Sequence, residues 1–258
     1  MDSKSFEVFQ YNMIKSIEKG LEVVFPKEGI VSVRKQIVKM FNTTQYLSDS
    51  RLTLFQTDTL KKNLRATLAE LSCYYELLEY KRTLNPSTYF ELVAGRIFPL
   101  PNNDSMEVDL IALTENKIFV VETKAIYGDL IIEEDGSVLS QGSKFKVNPV
   151  NQNIYHIINL KTLLQDVIIT NSDSIYENIV YLYSDSKVSK DVRTGTVKEK
   201  AYFTNTHTLA GTINHLNKKV SNYILNAEEI HQTLLNKGVP PTLNNKLQHI
   251  RNKKQNRT

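Results

Sequence analysis

The 258 residues are 41% hydrophobic and 23% charged, with a formal net charge of +4. This composition supports a packed core and excludes wholesale disorder, and no apolar run approaches the roughly 18 residues of a membrane span or forms a secretory leader. Cys73 is the single cysteine, which excludes internal disulfides and Cys-rich zinc sites and fits a reducing, cytoplasmic setting.

Residues 1–57 read as a helical N-terminal region. Val8, Phe9, Met13, Ile14 and Ile17 recur at helical spacing, and Gly20 is a candidate stop. Pro26 and Gly29 break the chain before a second apolar set, Val33, Ile37, Val38, Met40 and Phe41. No chemical motif lies here, so the region is expected to pack, to engage a protein partner or to self-associate. A long helix is predicted from Asp58 to Arg82, capped by Asp58 or Thr59. Its main stripe is Leu60, Leu64, Leu68, Leu71, Tyr75 and Leu78. A smaller apolar face holds Ala66, Cys73 and Leu77 and includes Glu70, whereas Glu76, beside Arg65, Ser72 and Glu79, reads as solvated.

"TYFELVAGRIFPL" reads as a strand that leads through a loop at 99–104 into a hairpin, Met106 to Ile126. "YGDLII" and "SVLSQ" flank "EEDG" as a second hairpin. Asn148 is then a good N-cap with Pro149 at the first helical position. In that helix Val150, Ile154, Ile157 and Leu164 form the predicted buried stripe, with Gln152, His156 and Asn159 on the polar side. "ENIVYLYSD" and "KAYFT" read as strands, and Leu209 to Leu225 as a helix. The tail from Leu247 is basic and has no apolar stripe.

The hairpin "MEVDLIALTENKIFVVETKAI" carries the chemistry. With its turn centred between Glu115 and Asn116, Leu113 faces Ile118, Ile111 faces Val120, Asp109 faces Glu122 and Glu107 faces Lys124. Side chains alternate across a strand, so Glu107, Asp109, Glu122 and Lys124 share one face. Directly opposed residues lie about 5 Å apart, and like charges at that distance need an offsetting partner. A divalent cation held by Asp109 and Glu122 would serve. Lys124 would orient or deprotonate an attacking water, or hold a phosphate. A solvated face with ordinary salt bridges is the competing reading of so short a pattern.

"MEVDLIALTENKIFVVETKAIYGDL" resembles the core of the nuclease-related domain (NERD) family, a branch of the PD-(D/E)XK nuclease superfamily. "NPVNQNIYHIINLKTLL" resembles the helix that follows in that family, and "ENIVYLYSD" and "THTLAGTI" its closing strand and helix, so the resemblance spans about Lys61 to Leu216. It implies an α/β, restriction-endonuclease-like fold with a mixed central sheet flanked by helices, in a core at 58–216 between the N-terminal region and a helical, basic C-terminal extension at 217–258. It further implies a Mg²⁺- or Mn²⁺-dependent nuclease that cleaves DNA with little base specificity. Asp109 and Glu122 would be metal ligands, Lys124 the catalytic lysine, Gln152 a residue lining the site, and Glu70 an acid on the opening helix that also binds metal. Ala69 stands where the family has Gly before that acid, and Leu110 where His often follows the hairpin Asp. RNA cleavage, and a catalytically silent binding or interaction module on the same fold, are the alternatives. His156, one helical turn after Gln152, is a candidate phosphate contact but reads first as a surface or capping histidine, and His207 and His215 are not at metal-ligand spacing. Lys144, Lys146, Arg251, Lys253, Lys254 and Arg257 are candidate phosphate contacts.

Overall fold

A computed structural model describes residues 1–101, 104–126, 128–140, 146–168, 173–183, 188–194, 201–219, 224–240 and 242. Helix α1 spans Ser3–Thr43, with the Asp2 side chain accepting from the Ser5 N–H at its start. It runs through Gly20 and is broken in direction at Gly29, where φ is 73° and ψ is −172°. A residue with a Cβ would be strained in that conformation, so the break is written into the glycine. After a 3-10 turn at Thr44–Tyr46, helix α2 spans Leu54–Thr83. It starts earlier than Asp58 because Thr53 and Gln56 form a reciprocal capping box.

Among the described residues, nine strands follow the helical region in two sheets. The first holds β1 (Phe90–Pro99), β2 (Ser105–Thr114), β3 (Ile118–Ala125), β7 (Tyr176–Tyr183) and β9 (Tyr202–Thr204), in that spatial order. β1, β2 and β3 run antiparallel to one another, and β7 and β9 continue parallel to β3. The second sheet holds β4 (Leu130–Ile132), β5 (Val138–Ser140), β6 (Lys146–Val147) and β8 (Val188–Asp191), ordered β6-β5-β4-β8. Helix α3 is Pro149–Leu163, α4 is Leu209–Asn217 and α5 is Ala227–Lys237. The protein is therefore α/β, with a mixed central sheet flanked by helices.

Period-two alternation gives the central sheet two apolar faces. Cys73 and Leu77 of α2, with Leu209, Ile213 and Leu216 of α4, pack on Leu110, Ala112, Phe119, Val121, Ile179 and Tyr181. On the other face Leu160 and Leu164, at the end of α3, and Ile230 and Leu234 of α5 meet Val93, Ile111, Leu113, Ile118 and Val120. The segment drawn as a C-terminal extension thus supplies core residues. Val239 beyond it exchanges backbone hydrogen bonds with Ile97 on β1. Helix α1 covers the outer side of α2, where Leu21, Phe25, Val33, Ile37 and Phe41 pack with Leu68 and Tyr75.

Three readings of helical phase are corrected. Glu76 is buried, because α1 lies over that side of α2 and Arg34 reaches it. Ala66, placed on the smaller apolar face, is exposed. His156 is buried together with Asn153, whose Nδ2 donates to the Val120 carbonyl at 2.7 Å and to Asn178 Oδ1 at 2.8 Å. Polar side chains therefore tie α3 to β3 and β7, and they occupy part of the face predicted to be solvated. The expected helix from Leu209 ends at Asn217, and Leu225 is non-helical and buried, its N–H donating to Glu115 at 2.7 Å. Lys144, Arg251, Lys253, Lys254, Arg257 and the tail from Leu247 lie outside the described residues.

Candidate active site

β2 and β3 pair Leu110–Leu113 with Ile118–Val121 in the register that the sequence predicts. Just beyond that ladder, toward the start of β2 and the end of β3, the hairpin opens. The Asp109 carboxylate reaches across, and its Oδ2 accepts from both the N–H and the hydroxyl of Thr123, each at 2.8 Å.

Side-chain phase explains how Asp109 gets there. Met106 and Val108 belong to the core under α3 and α5, whereas Leu110 and Ala112 belong to the core under α2. These residues have the same parity and lie on opposite faces, so β2 changes phase at Asp109. Between its pairings of Ala94 with Leu110 and Arg96 with Val108, β1 carries Gly95 at φ 55°. That left-handed residue lets β1 follow the change. The simple alternation that put Glu107 and Asp109 on one face with Glu122 and Lys124 therefore does not run through this point.

Glu122 is 1% exposed and faces α3. Its Oε1 accepts from the ammonium of Lys124, which also donates to Gln152 Oε1 at 3.0 Å. Its Oε2 lies 3.5 Å from His156 Nδ1. Strand β3 thus presents a carboxylate and an ammonium two residues apart, and α3 brings Gln152 and His156, one turn apart, onto them. Lys124 is 22% exposed at its side chain, so the cluster opens to solvent at the lysine.

Burial holds the Asp109 carboxyl above the usual aspartate range, against the opposing pull of the Lys124 charge and the two Thr123 hydrogen bonds. Burial pushes the Cys73 thiol on α2 well up, and the charges of Asp109, Glu76 and Glu70 add to the effect.

The structure brings Glu122, Lys124 and Gln152 into one hydrogen-bonded group and sets Asp109 beside it, within the influence of Lys124. Glu70 lies on the α2 side. Among the described residues no three of His, Cys, Asp and Glu form a ready-made metal cage. The two hairpin carboxylates are hard oxygen donors. They suit Mg²⁺, which binds through one or two carboxylates and retains waters or substrate phosphate oxygens. His156 and Thr123 are neighbours whose contacts the sequence reading missed. His156 stood one turn after Gln152, but helical phase alone gave no reason to bury it. Thr123, inside the Glu-x-Lys triplet, offers a backbone carbonyl in the sequence reading, but alternation puts its side chain on the apolar face and gives no sign of its bond to Asp109.

Residues 66–183 match the family model for NERD, the nuclease-related domain. In structure the chain is similar to Can2 from Sulfobacillus thermosulfidooxidans in complex with cyclic tetra-adenylate, at 13% identity and a TM-score of 0.35, over 78% of this chain and 56% of that one. It is also similar to protein VC1899 from Vibrio cholerae, at 10% identity and a TM-score of 0.31, over 84% of this chain and 57% of that one. The chain spans little more than half the length of these two structures. No curated protein matches it in sequence.

Proposed function

We propose, from the premise that residues 66–183 belong to the nuclease-related domain family, that the protein is a metal-dependent nuclease hydrolysing DNA phosphodiester bonds with little base specificity. The observation that carries this reading is the grouping of Glu122, Lys124 and Gln152 beside Asp109 where the β2–β3 hairpin opens. Asp109 and Glu122 would hold Mg²⁺ or Mn²⁺, with Glu70 as a further candidate from α2. Such a cation, when bound, lowers the pKa of a coordinated water and neutralises charge on the scissile phosphate.

The chain's own residues supply the rest. Thr123 fixes the Asp109 carboxylate through two bonds to one oxygen, which sets the direction of the other. Gln152 holds the Lys124 ammonium from the helix side. When a phosphate enters, Lys124 exchanges its contact with Glu122 for the attacking water or a phosphate oxygen. There it steers the water as an ammonium or, as a neutral amine that has first released its own proton to solvent, takes the proton of the water. His156 lies behind Glu122 on the buried side, 3.5 Å from its Oε2.

The partner would be nucleic acid. No helix among the described residues is long and apolar enough to cross a membrane. The test is incubation of the full chain with linear, circular and single-stranded DNA and with matched RNA, with and without Mn²⁺, beside Asp109→Ala. Mn²⁺-dependent products from DNA that the variant fails to make support the proposal. Products from RNA alone reassign the substrate, and binding without products would sink the enzymatic reading.

A further inference from the structure

Tyr155 and Ile158 are 46% and 56% exposed on α3, and neither belongs to any of the five apolar clusters of the core. They stand one helical turn apart, and Tyr155 is three residues beyond Gln152, which holds Lys124 at 3.0 Å. The Tyr155 ring adjoins that of His156, with centroids 6.2 Å apart and planes at 59°. Its backbone carbonyl accepts from Asn159 Nδ2 at 2.8 Å, which fixes the turn that carries it. On its other side, burial and the charge of Asp104 hold its hydroxyl above the usual tyrosine range. Asp104 immediately precedes β2, the strand of Asp109. The ring therefore lies between α3 and the start of β2, on the margin of the candidate site.

We infer that Tyr155 is a base-stacking residue of that site, extended by Ile158, and that the strand passing it is unpaired there. The inference rests on the nuclease reading and names its substrate class. A phenol ring half open to water has a flat apolar face to offer, and every nucleobase has a complementary one. In a duplex those faces are already stacked on neighbouring pairs, so a protruding ring finds a base only where the strand is single. The Asp104 carboxylate repels phosphate from the hydroxyl end of the ring, which leaves the base as the part of a nucleotide that fits.

The test uses the full chain made non-cleaving by Asp109→Ala, and compares Tyr155, Tyr155→Phe and Tyr155→Ala in that background. Binding of a labelled oligothymidylate of about 20 nucleotides and of a blunt duplex of equal length is read by fluorescence anisotropy at fixed salt. Loss of a stacked base costs roughly 10-fold or more in affinity. Tyr155→Ala should lose that much on the single strand and be unchanged on the duplex, with Tyr155→Phe within about twofold of the parent. Equal affinity of the alanine variant, equal loss on both ligands, or loss in the phenylalanine variant would each overturn the inference. The last two outcomes would point to general surface damage or to a hydroxyl contact. A parallel digest with the chain carrying Asp109 separates the two levels. Mn²⁺-dependent cleavage with an indifferent Tyr155→Ala leaves the nuclease reading standing alone. Selective single-strand loss without cleavage leaves a stacking surface on a silent module.

Discussion

Glu76 and Glu122 are both nearly buried carboxylates in contact with a cation, 6% and 1% exposed respectively, yet they are wired differently. Both oxygens of Glu76 go to one partner: Arg34 donates Nε to Oε1 at 2.5 Å and Nη2 to Oε2. That planar fork is a fixed joint between α1 and α2. Glu122 gives one oxygen to Lys124 and sets the other 3.5 Å from His156 Nδ1, and Lys124 in turn divides its ammonium between Glu122 and Gln152. A lysine is a single point charge on a flexible stem, so it can exchange one partner for another at little geometric cost. The first arrangement holds two helices together, and the second leaves a cation and a carboxylate ready to accept new partners. Burial and pairing alone do not distinguish the two arrangements, whereas the sharing of partners does.

The contrast breaks most sharply at Lys124. Replacing it with alanine should leave Mn²⁺ affinity nearly intact and lower DNA cleavage by about 10²–10⁴-fold, the usual contribution of a positioned acid–base group. Single-turnover cleavage together with calorimetric Mn²⁺ titration would read both quantities. Full activity would remove the lysine from the mechanism. Glu122→Gln should do the reverse and weaken Mn²⁺ binding first. An unchanged titration would deny Glu122 its ligand role.

Arg34→Ala, by comparison, should leave the proposed cleavage by the folded protein alone and cost stability. Removing one partner of a buried pair typically costs about 3–5 kcal/mol because the other charge stays buried. Arg34 is 41% exposed, and water can reach Glu76 once it is gone, so about 2–3 kcal/mol is expected. Arg34→Met with Glu76→Leu should recover most of that loss, because both charges are then gone. Urea unfolding of the single and double variants checks this, and a double variant as weak as the single would contradict the account.

Much of this architecture is legible in the chain. The alternation of Leu110 to Leu113 and Ile118 to Val121 about a polar turn yields the strands, their direction and their register. Asn148 followed by Pro149 marks the start of α3. Interfaces between helices are not legible in the same way, because phase says which residues share a side and not which side will be covered. Glu76 reads as solvated until α1 is laid over it. His156 reads as surface until Glu122 is seen beneath it. The phase change at Asp109 escapes a local reading for another reason. Its conformational partner, Gly95, lies on the preceding strand and meets it only through pairing.

The smallest expected effect is a gain in stability at Asp109. Its carboxyl is held above its usual value by burial, so the folded chain binds that proton more tightly than the unfolded chain does. The stability linked to it is fully present below the ordinary aspartate range and is lost as pH rises through the raised folded value. At neutral pH the ionised carboxylate is thus a net cost to the metal-free protein. Asparagine retains an acceptor for the Thr123 N–H and hydroxyl and carries no charge, so Asp109→Asn should melt a few degrees higher than the parent at pH 7, given about 2–4 °C per kcal/mol for a chain of this size. The difference should narrow as pH falls through the raised folded value, where the parent takes up its proton, and be closed below the ordinary aspartate range. Added Mn²⁺ should raise the melting temperature of the parent and leave the variant where it was, because a ligand stabilises only the fold that binds it. A variant less stable than the parent at pH 7 without metal would show that the charge on Asp109 supports the fold, and would place it with Glu76 as a structural joint.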